Sequence, residues 1–227
     1  MRKILIVGGS RGIGNSLLSR LVERNKIINI SRIPPSLSHV NLTHHTCDVL
    51  TDELPTVEEV DSIVYCQGSI NLKPISRLKL EDFRNDFEIN VIGAVKTIQQ
   101  YLPVLKRGNK PSIVLFSTVA TTLGMPFHAS VAAAKSAVEG LVKSLGAELA
   151  PTIRVNAIAP TVTDTELASK ILRNEKMIDM ITERHPLKKF LNPEEVADMA
   201  EFLVSPRSAS ISGQVFMMDC GIVSFKI

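Results

Sequence analysis

Gly8, Gly12 and Gly14 stand at the spacing G-x-x-x-G-x-G, directly after the apolar run Lys3 to Val7. A helical pattern follows, from Gly14 to Arg24. Glycines at such positions let a chain turn sharply and let its backbone approach a ligand closely. The helix start beyond them offers free N–H groups and the positive end of its dipole. A pyrophosphate is the group such a turn serves, so Gly8, Ser10, Arg11, Gly12, Ile13 and Gly14 are expected to cradle a dinucleotide. Its adenosine ribose, if bare, is usually met by a carboxylate at the end of the second strand. Here that place reads Ser31-Arg32, and the turn itself carries Arg11. Two guanidiniums and a hydroxyl suit a 2′-phosphate. NADP(H) is therefore expected in preference to NAD(H), with the alternative that Arg11 and Arg32 are ordinary surface charges.

Other reactive groups lead less far. His44 and His45 are adjacent, with Cys47 close by. Neighbours on an extended strand face opposite ways, and no second ligand cluster is at hand, so no metal is expected. Glu58, Glu59 and Asp61 read as solvated loop charges. Met177, Ile178, Met180 and Ile181 suit either the wall of an apolar substrate pocket or a core or interface stripe.

The elements that must position these residues alternate along the chain. Short apolar runs lie at Lys3 to Val7, Ile27 to Ser31, His45 to Asp48, Ser62 to Cys66, Ser112 to Ser117, Ile153 to Ile158 and Gln214 to Met218. Between them, helical patterns cover Gly14 to Arg24, Leu80 to Leu105, Val131 to Ala150 and Pro193 to Leu203. The last opens on Asn192 as N-cap, with Pro193 in the first helical position and Glu194 and Glu195 in the first turn. Strand–helix alternation of this kind predicts an α/β fold, a Rossmann-type doubly wound parallel sheet of about seven strands with helices on both faces. No repeat or linker divides the chain, so residues 1–227 are expected to form a single dinucleotide-binding domain. Residues 163–186 lie off the pattern and are expected to form a helical flap over the site.

Composition narrows the field. Of 227 residues, 44% are hydrophobic and 22% charged, which speaks against disorder and against a membrane protein. The net charge is +3 with scattered basic residues, so no nucleic-acid partner is expected. The apolar run after Met1-Arg2-Lys3 is too short for a signal peptide. Cys47, Cys66 and Cys220 form no C-x-x-C pair and read as free thiols of a reducing compartment, hence a cytoplasmic protein.

The motifs, taken in order, resemble those of the short-chain dehydrogenase/reductase family. Val7 to Gly14 is similar to its T-G-x-x-x-G-I-G turn. Cys47-Asp48-Val49 resembles the aspartate–hydrophobic pair at the adenine, and Asn90-Val-Ile-Gly93 its N-x-x-G helix motif. Arg154 to Pro160 resembles the segment before a P-G turn, and Thr165 falls where the family has a threonine near the nicotinamide. Ser212-Gly213-Gln214 with Asp219-Cys220-Gly221 resembles its last strand and tail. The resemblance implies a seven-stranded sheet, a homodimer or homotetramer, and cofactor contacts from Asp48, Val49, Cys66, Gly68, Asn90, Lys135, Pro160, Thr163 and Thr165 beside the glycine turn.

The family's chemistry uses Asn, Ser, Tyr and Lys. The tyrosine is the general acid or base, and the lysine ammonium beside it lowers its pKa. Asn90 and Lys135 fill two of these places. Thr118 falls at the serine, and its hydroxyl can still hold a carbonyl oxygen. The tyrosine of Y-x-x-x-K is Val131, and an isopropyl group moves no proton. His128, three residues earlier, is the alternative acid, since histidine titrates near neutrality; the other reading of it is a loop histidine in solvent or at a subunit contact. The family's N-N-A-G reads Tyr65-Cys66-Gln67-Gly68, and the glycine of its P-G turn is Thr161. The adenosine half is thus kept and the reactive half altered. Two functions follow as expectations: an oxidoreductase on a small or apolar carbonyl or alkene with atypical proton donation, or a non-catalytic dinucleotide-binding sensor, scaffold or partner subunit.

Overall fold

In the computed structural model, which describes residues 1–225, seven parallel strands form one sheet. They are β1 (Lys3–Val7), β2 (Lys26–Ser31), β3 (Leu42–Thr46), β4 (Ser62–Tyr65), β5 (Ser112–Phe116), β6 (Arg154–Pro160) and β7 (Val215–Met218), in the order β3-β2-β1-β4-β5-β6-β7. The four central strands are the continuously apolar ones. Every residue of β4 and β5 is buried, because helices cover both faces. The edges are less apolar: β3 reads LTHHT and is nowhere fully buried.

One apolar layer packs under α3 (Gly93–Leu105) and α4 (Ala129–Glu148), around Leu5, Ile63, Tyr101, Ile113 and Val138. The other packs under α1 (Gly12–Leu21) and α6 (Pro193–Val204), around Ile6, Leu17, Leu18, Val64 and Val196. Burying Leu17 and Leu18 outright is worth about 1.5–3 kcal/mol each, so packing rather than helix propensity holds the ten-residue α1 in place. The helix over Pro193–Val204 starts as the sequence signals require, with Pro193 in its first turn and Glu195 Oε2 reaching back to accept the Asn192 N–H at 2.9 Å.

Two elements differ from the sequence pattern. The helix expected over Leu80 to Leu105 is α2 (Leu80–Phe87), a π turn (Glu88–Ile92) and then α3. A single π turn inserts into a helix without breaking its apolar periodicity, which is why the pattern ran straight through it. The off-sheet segment 163–186 is a short 3-10 turn (Glu166–Ala168) followed by α5 (Glu175–Arg184). His185, at the end of α5, is buried. Its Nδ1 lies 2.6 Å from the Ile181 carbonyl, so that nitrogen carries a proton, and its Nε2 accepts from the Thr161 hydroxyl at 2.7 Å. Thr161, which stands where the related motif has glycine, thereby ties α5 to the end of β6. Within α5 and its flank, Ile181 is buried and Met180 faces solvent.

The strand order reverses between β1 and β4. Ligands of such sheets bind in the crevice outside the carboxyl ends of the strands at that point. The turn after β1 and the Cys66–Gly68 segment after β4 both lie there.

Candidate functional site

The turn after β1 is shaped by two glycines with left-handed backbone, Gly8 (φ +89°) and Gly12 (φ +50°). Gly14 admits nothing larger, because a Cβ there would sit 2.2 Å from the Gly8 carbonyl oxygen. At Gly9 a Cβ would lie 2.5 Å from Asn29 Oδ1. That same oxygen accepts the Gly9 N–H at 2.9 Å, while Asn29 Nδ2 donates to Ser31 Oγ at 2.9 Å. Asn29 is a fully buried polar residue in the middle of β2 and the hidden support of the turn; its one sequence signal is an asparagine inside an otherwise apolar run. The helix beyond, α1, has no side-chain cap at Arg11 and no acidic residue in its first turn. Its first N–H groups are therefore open to an anion, and these residues fit a pyrophosphate.

Between the glycine turn and the ends of β2 and β3 the residues divide. Arg11 and Arg32 are exposed, Arg11 ion-paired with Glu166 and Arg32 at 3.9 Å from Asp48 Oδ2. Ser31 is buried, and its hydroxyl donates to the Ile33 carbonyl at 2.9 Å while the Ser10 hydroxyl lies 2.7 Å away. Asp48 sits at the end of β3 with Oδ1 accepting the Leu50 N–H at 3.0 Å, and Val49 is buried beneath it. Ile13 is half-buried at the start of α1. From the β6 side come Pro160, the buried Thr163, and Thr165, whose methyl a Cβ at Gly12 would meet at 3.1 Å. Segment 163–186 and the glycine turn thus touch through Thr165–Gly12 and Arg11–Glu166.

Asn90 and Lys135 converge on Gly68. A Cβ there would lie 3.1 Å from Asn90 Oδ1 and 3.5 Å from Lys135 Nζ. Lys135 is buried and donates to the Phe116 carbonyl at 2.8 Å. Burial pushes its ammonium down to about 8, against the pull of the Asp86 carboxylate. Asn90 sits in the π turn. Its Nδ2 donates to the Asp86 carbonyl at 2.7 Å and to Ser69 Oγ at 3.1 Å, and its Oδ1 is buried with no protein partner. Cys66 stands beside them, its thiol pushed up to about 12 by burial and so neutral. Thr118 is half-buried and opens the turn Val119–Thr121. The adjacent Ser117 donates to Glu139 Oε1 at 2.5 Å, and Thr121 donates to the same oxygen at 2.7 Å. This carboxylate fixes the strand end next to Thr118.

Val131 is buried in the first turn of α4, four residues before Lys135 and so on the same helix face. His128 precedes the helix, and its Nδ1 lies 2.7 Å from the Pro126 carbonyl. It lines a groove of about 500 Å³ with Lys73, Ile75, Met125 and Phe127, and none of its hydrogen bonds runs to Lys135, Asn90 or Thr118. Tyr65 is no donor to the site either. Its hydroxyl gives its proton to the Ile89 carbonyl at 2.7 Å, and burial raises its pKa. Gly93 exists for this phenol: a Cβ there would lie 2.1 Å from its oxygen. Tyr65 is a strut that pins the π turn, and with it Asn90, to β4.

Residues 43–223 match the family model described as Enoyl-(Acyl carrier protein) reductase. The chain belongs to the short-chain dehydrogenase/reductase family. Among its curated relatives is a 3-oxoacyl-(acyl-carrier-protein) reductase FabG of Thermotoga maritima, 31% identical over 85% of this chain and 78% of that protein. Another is a carbonyl reductase (NADPH) 2 of Sus scrofa, 28% identical over 98% of this chain and 96% of that protein. A solved structure of ElxO with NADP bound superposes with a TM-score of 0.88 at 25% identity, covering 99% of both chains. As a short-chain dehydrogenase/reductase, the protein has the oxidoreductase fold of relatives that act with NAD(P). No helix among the described residues is long and apolar enough to cross a membrane.

Proposed function

We propose that the protein is an NADP(H)-dependent oxidoreductase acting on a small or apolar carbonyl or alkene, with a proton donor other than tyrosine. The convergence of Asn90 Oδ1 and Lys135 Nζ at Gly68 carries this reading. A module that only bound dinucleotide would use Lys135 as a ribose clamp but would have no evident need of a hydroxyl at Thr118, at the end of β5. When bound, the dinucleotide supplies the hydride. Gly8, Gly12 and Gly14 admit its pyrophosphate, with Ser10 and Ile13 completing the turn. Asp48 and Val49 flank the adenine, and Cys66, Gly68, Pro160, Thr163 and Thr165 wall the nicotinamide half. Lys135 grips the ribose, Asn90 holds the relay position and Thr118 holds the substrate oxygen.

NADP(H) preference is supported by the exposed Arg11 and Arg32, by the lack of a carboxylate at the end of β2, and by relatives whose names carry NADP or NADPH. Ser31, turned inward on Ser10 and Ile33, serves the phosphate by shaping the loop rather than by touching it. Assembly into a homodimer or homotetramer fits the exposed Leu80, Phe87 and Ile92 along α2 and the π turn. Free cysteines fit a cytoplasmic setting.

Val131 favours a second reading, a dinucleotide-binding sensor, scaffold or partner subunit without turnover. A screen of the purified protein with NADPH and a panel of aldehydes, ketones and enoyl thioesters separates the two. The oxidoreductase reading expects slow NADPH oxidation with at least one of them. Loss of that oxidation in His128→Ala places the acid at His128, and its survival keeps proton donation with the groups around Gly68. NADPH binding without oxidation of any panel member selects the second reading, and failure to bind either dinucleotide defeats both.

A further inference from the structure

Asp86 lies on α2, a helix whose other charged residues face solvent or the surface pair Lys73–Asp82. It is fully buried. Its Oδ1 accepts from Ser69 Oγ at 2.5 Å and from Asn71 Nδ2 at 2.9 Å, and its Oδ2 is buried with no protein partner. Its own carbonyl holds the Asn90 amide, and Ser69 bonds that amide too. Asp86, Ser69 and Asn90 therefore form a closed ring of hydrogen bonds, and its Asn90 end meets Lys135 Nζ at Gly68, where a Cβ would lie 3.1 Å from Asn90 Oδ1 and 3.5 Å from that ammonium.

A buried carboxylate is costly unless something needs it. Lys135 is the group that does. Its ammonium is buried with a single carbonyl partner. The charged and titratable groups bearing on it are few. Asp86 on α2 reaches it without direct contact, through the ring that ends on Asn90 at Gly68, and its charge favours the ammonium; Cys66, which follows β4, offers a thiol that stays neutral. Tyr65 on β4 has committed its proton to Ile89, and Glu139, one turn further along α4, is taken up by Ser117 and Thr121. A tyrosine at 131 would bring a phenolate for the ammonium to pair with; Val131 brings none.

We propose that Asp86 is a positioning residue of this site, whose buried carboxylate is the counter-charge of Lys135 and, through Ser69 and Asn71, fixes the post-β4 loop against Asn90. The proposal rests on the reading of Lys135 and Asn90 as site residues. It explains why an acid occupies the buried face of α2 and why the loop from Gly68 to Asn71 is bonded to it rather than left to solvent. Electrostatically, Asp86 opposes the burial that drives Lys135 toward its neutral form. The sign follows: removing the negative charge lets the lysine lose its proton at lower pH.

The test is a carbon NMR titration of the full chain without dinucleotide, so it is independent of whether NADPH binds or turns over. In the wild type the Lys135 Cε signal is expected to titrate near pH 8. In Asp86→Asn, which keeps shape and hydrogen bonding but not charge, the midpoint is expected to fall by at least about one pH unit. Asp86→Glu, which restores the charge, is expected to move it back toward the wild-type value. An unmoved midpoint in folded Asp86→Asn overturns the proposal, because a purely structural role would not set the lysine's charge. Should that variant fail to fold, the wild type decides. The Asp86 Cγ signal is expected to inflect at the Lys135 midpoint, and a flat response there overturns the proposal equally.

Discussion

Gly14→Ala is expected to weaken NADPH binding by about a hundredfold and to destabilise the protein by about 1–3 kcal/mol. The added methyl would lie 2.2 Å from the Gly8 carbonyl oxygen, a backbone atom that no side-chain rotation can move. The start of α1 must then back away from the turn by about 1 Å or more to reach an ordinary contact, and displacements of that size cost about two orders of magnitude where groups must be placed accurately. Those same N–H groups are the ones offered to the pyrophosphate. Fluorescence titration and urea unfolding read the two effects separately. Gly140→Ala is the control. A Cβ there meets nothing within 4 Å, and glycine inside a helix costs about 0.5–1 kcal/mol relative to alanine. That variant is expected to gain stability and bind normally. Normal NADPH affinity in Gly14→Ala would place the cofactor elsewhere.

Val131→Tyr is expected to raise carbonyl reduction by about 10²–10⁴-fold, the range a well-placed general acid contributes. Val131 lies one helical turn before Lys135 on the same face of α4. A phenol there would have the ammonium beside it, which favours its ionised form and brings its pKa toward neutrality. Val131 is buried, so the larger ring must project into the cleft or cost about 1–3 kcal/mol in overpacking. That is a tolerable part of a domain's usual stability of about 5–15 kcal/mol. Val131→Phe has the bulk without the hydroxyl and is expected to gain nothing. Equal rates for the tyrosine and phenylalanine variants would mean that the missing acid is not what limits the wild type.

Much of the fold is legible in the sequence itself. The central strands announce themselves as continuous β-branched and apolar runs because helices cover both their faces. The third strand does not. Its residues Leu42–Thr46 sit at a sheet edge, and a polar edge strand carries no burial pattern, so the sequence pointed to its end and missed its start. The glycine turn was readable because a backbone requirement leaves its mark in residue type. The supports around it were not. Asn29 looks like an interruption in a strand until its amide is found spanning Gly9 and Ser31. Asp86 looks like any solvated helix charge, and only the packing of Ser69 and Asn71 over it reveals a buried one. Ser31 stands at the end of β2 as the sequence places it, but the direction of its hydroxyl depends on how Ser10 meets it across the turn. The π turn that presents Asn90 leaves no gap in periodicity, although Tyr65 and Gly93, which hold it, were both visible as departures or motif members.

The claim on which the account turns is that NADP(H) sits on the Gly8–Gly14 turn with its 2′-phosphate between Arg11 and Arg32. Side-by-side titrations of the purified protein with NADPH and NADH test it most directly, together with the double variant Ser31→Asp, Arg32→Ala. The wild type is predicted to bind NADPH at least about tenfold more tightly, a difference of roughly 1.4 kcal/mol, and the double variant to shift the preference toward NADH. Equal or tighter binding of NADH by the wild type, or a preference unchanged in the variant, would contradict it.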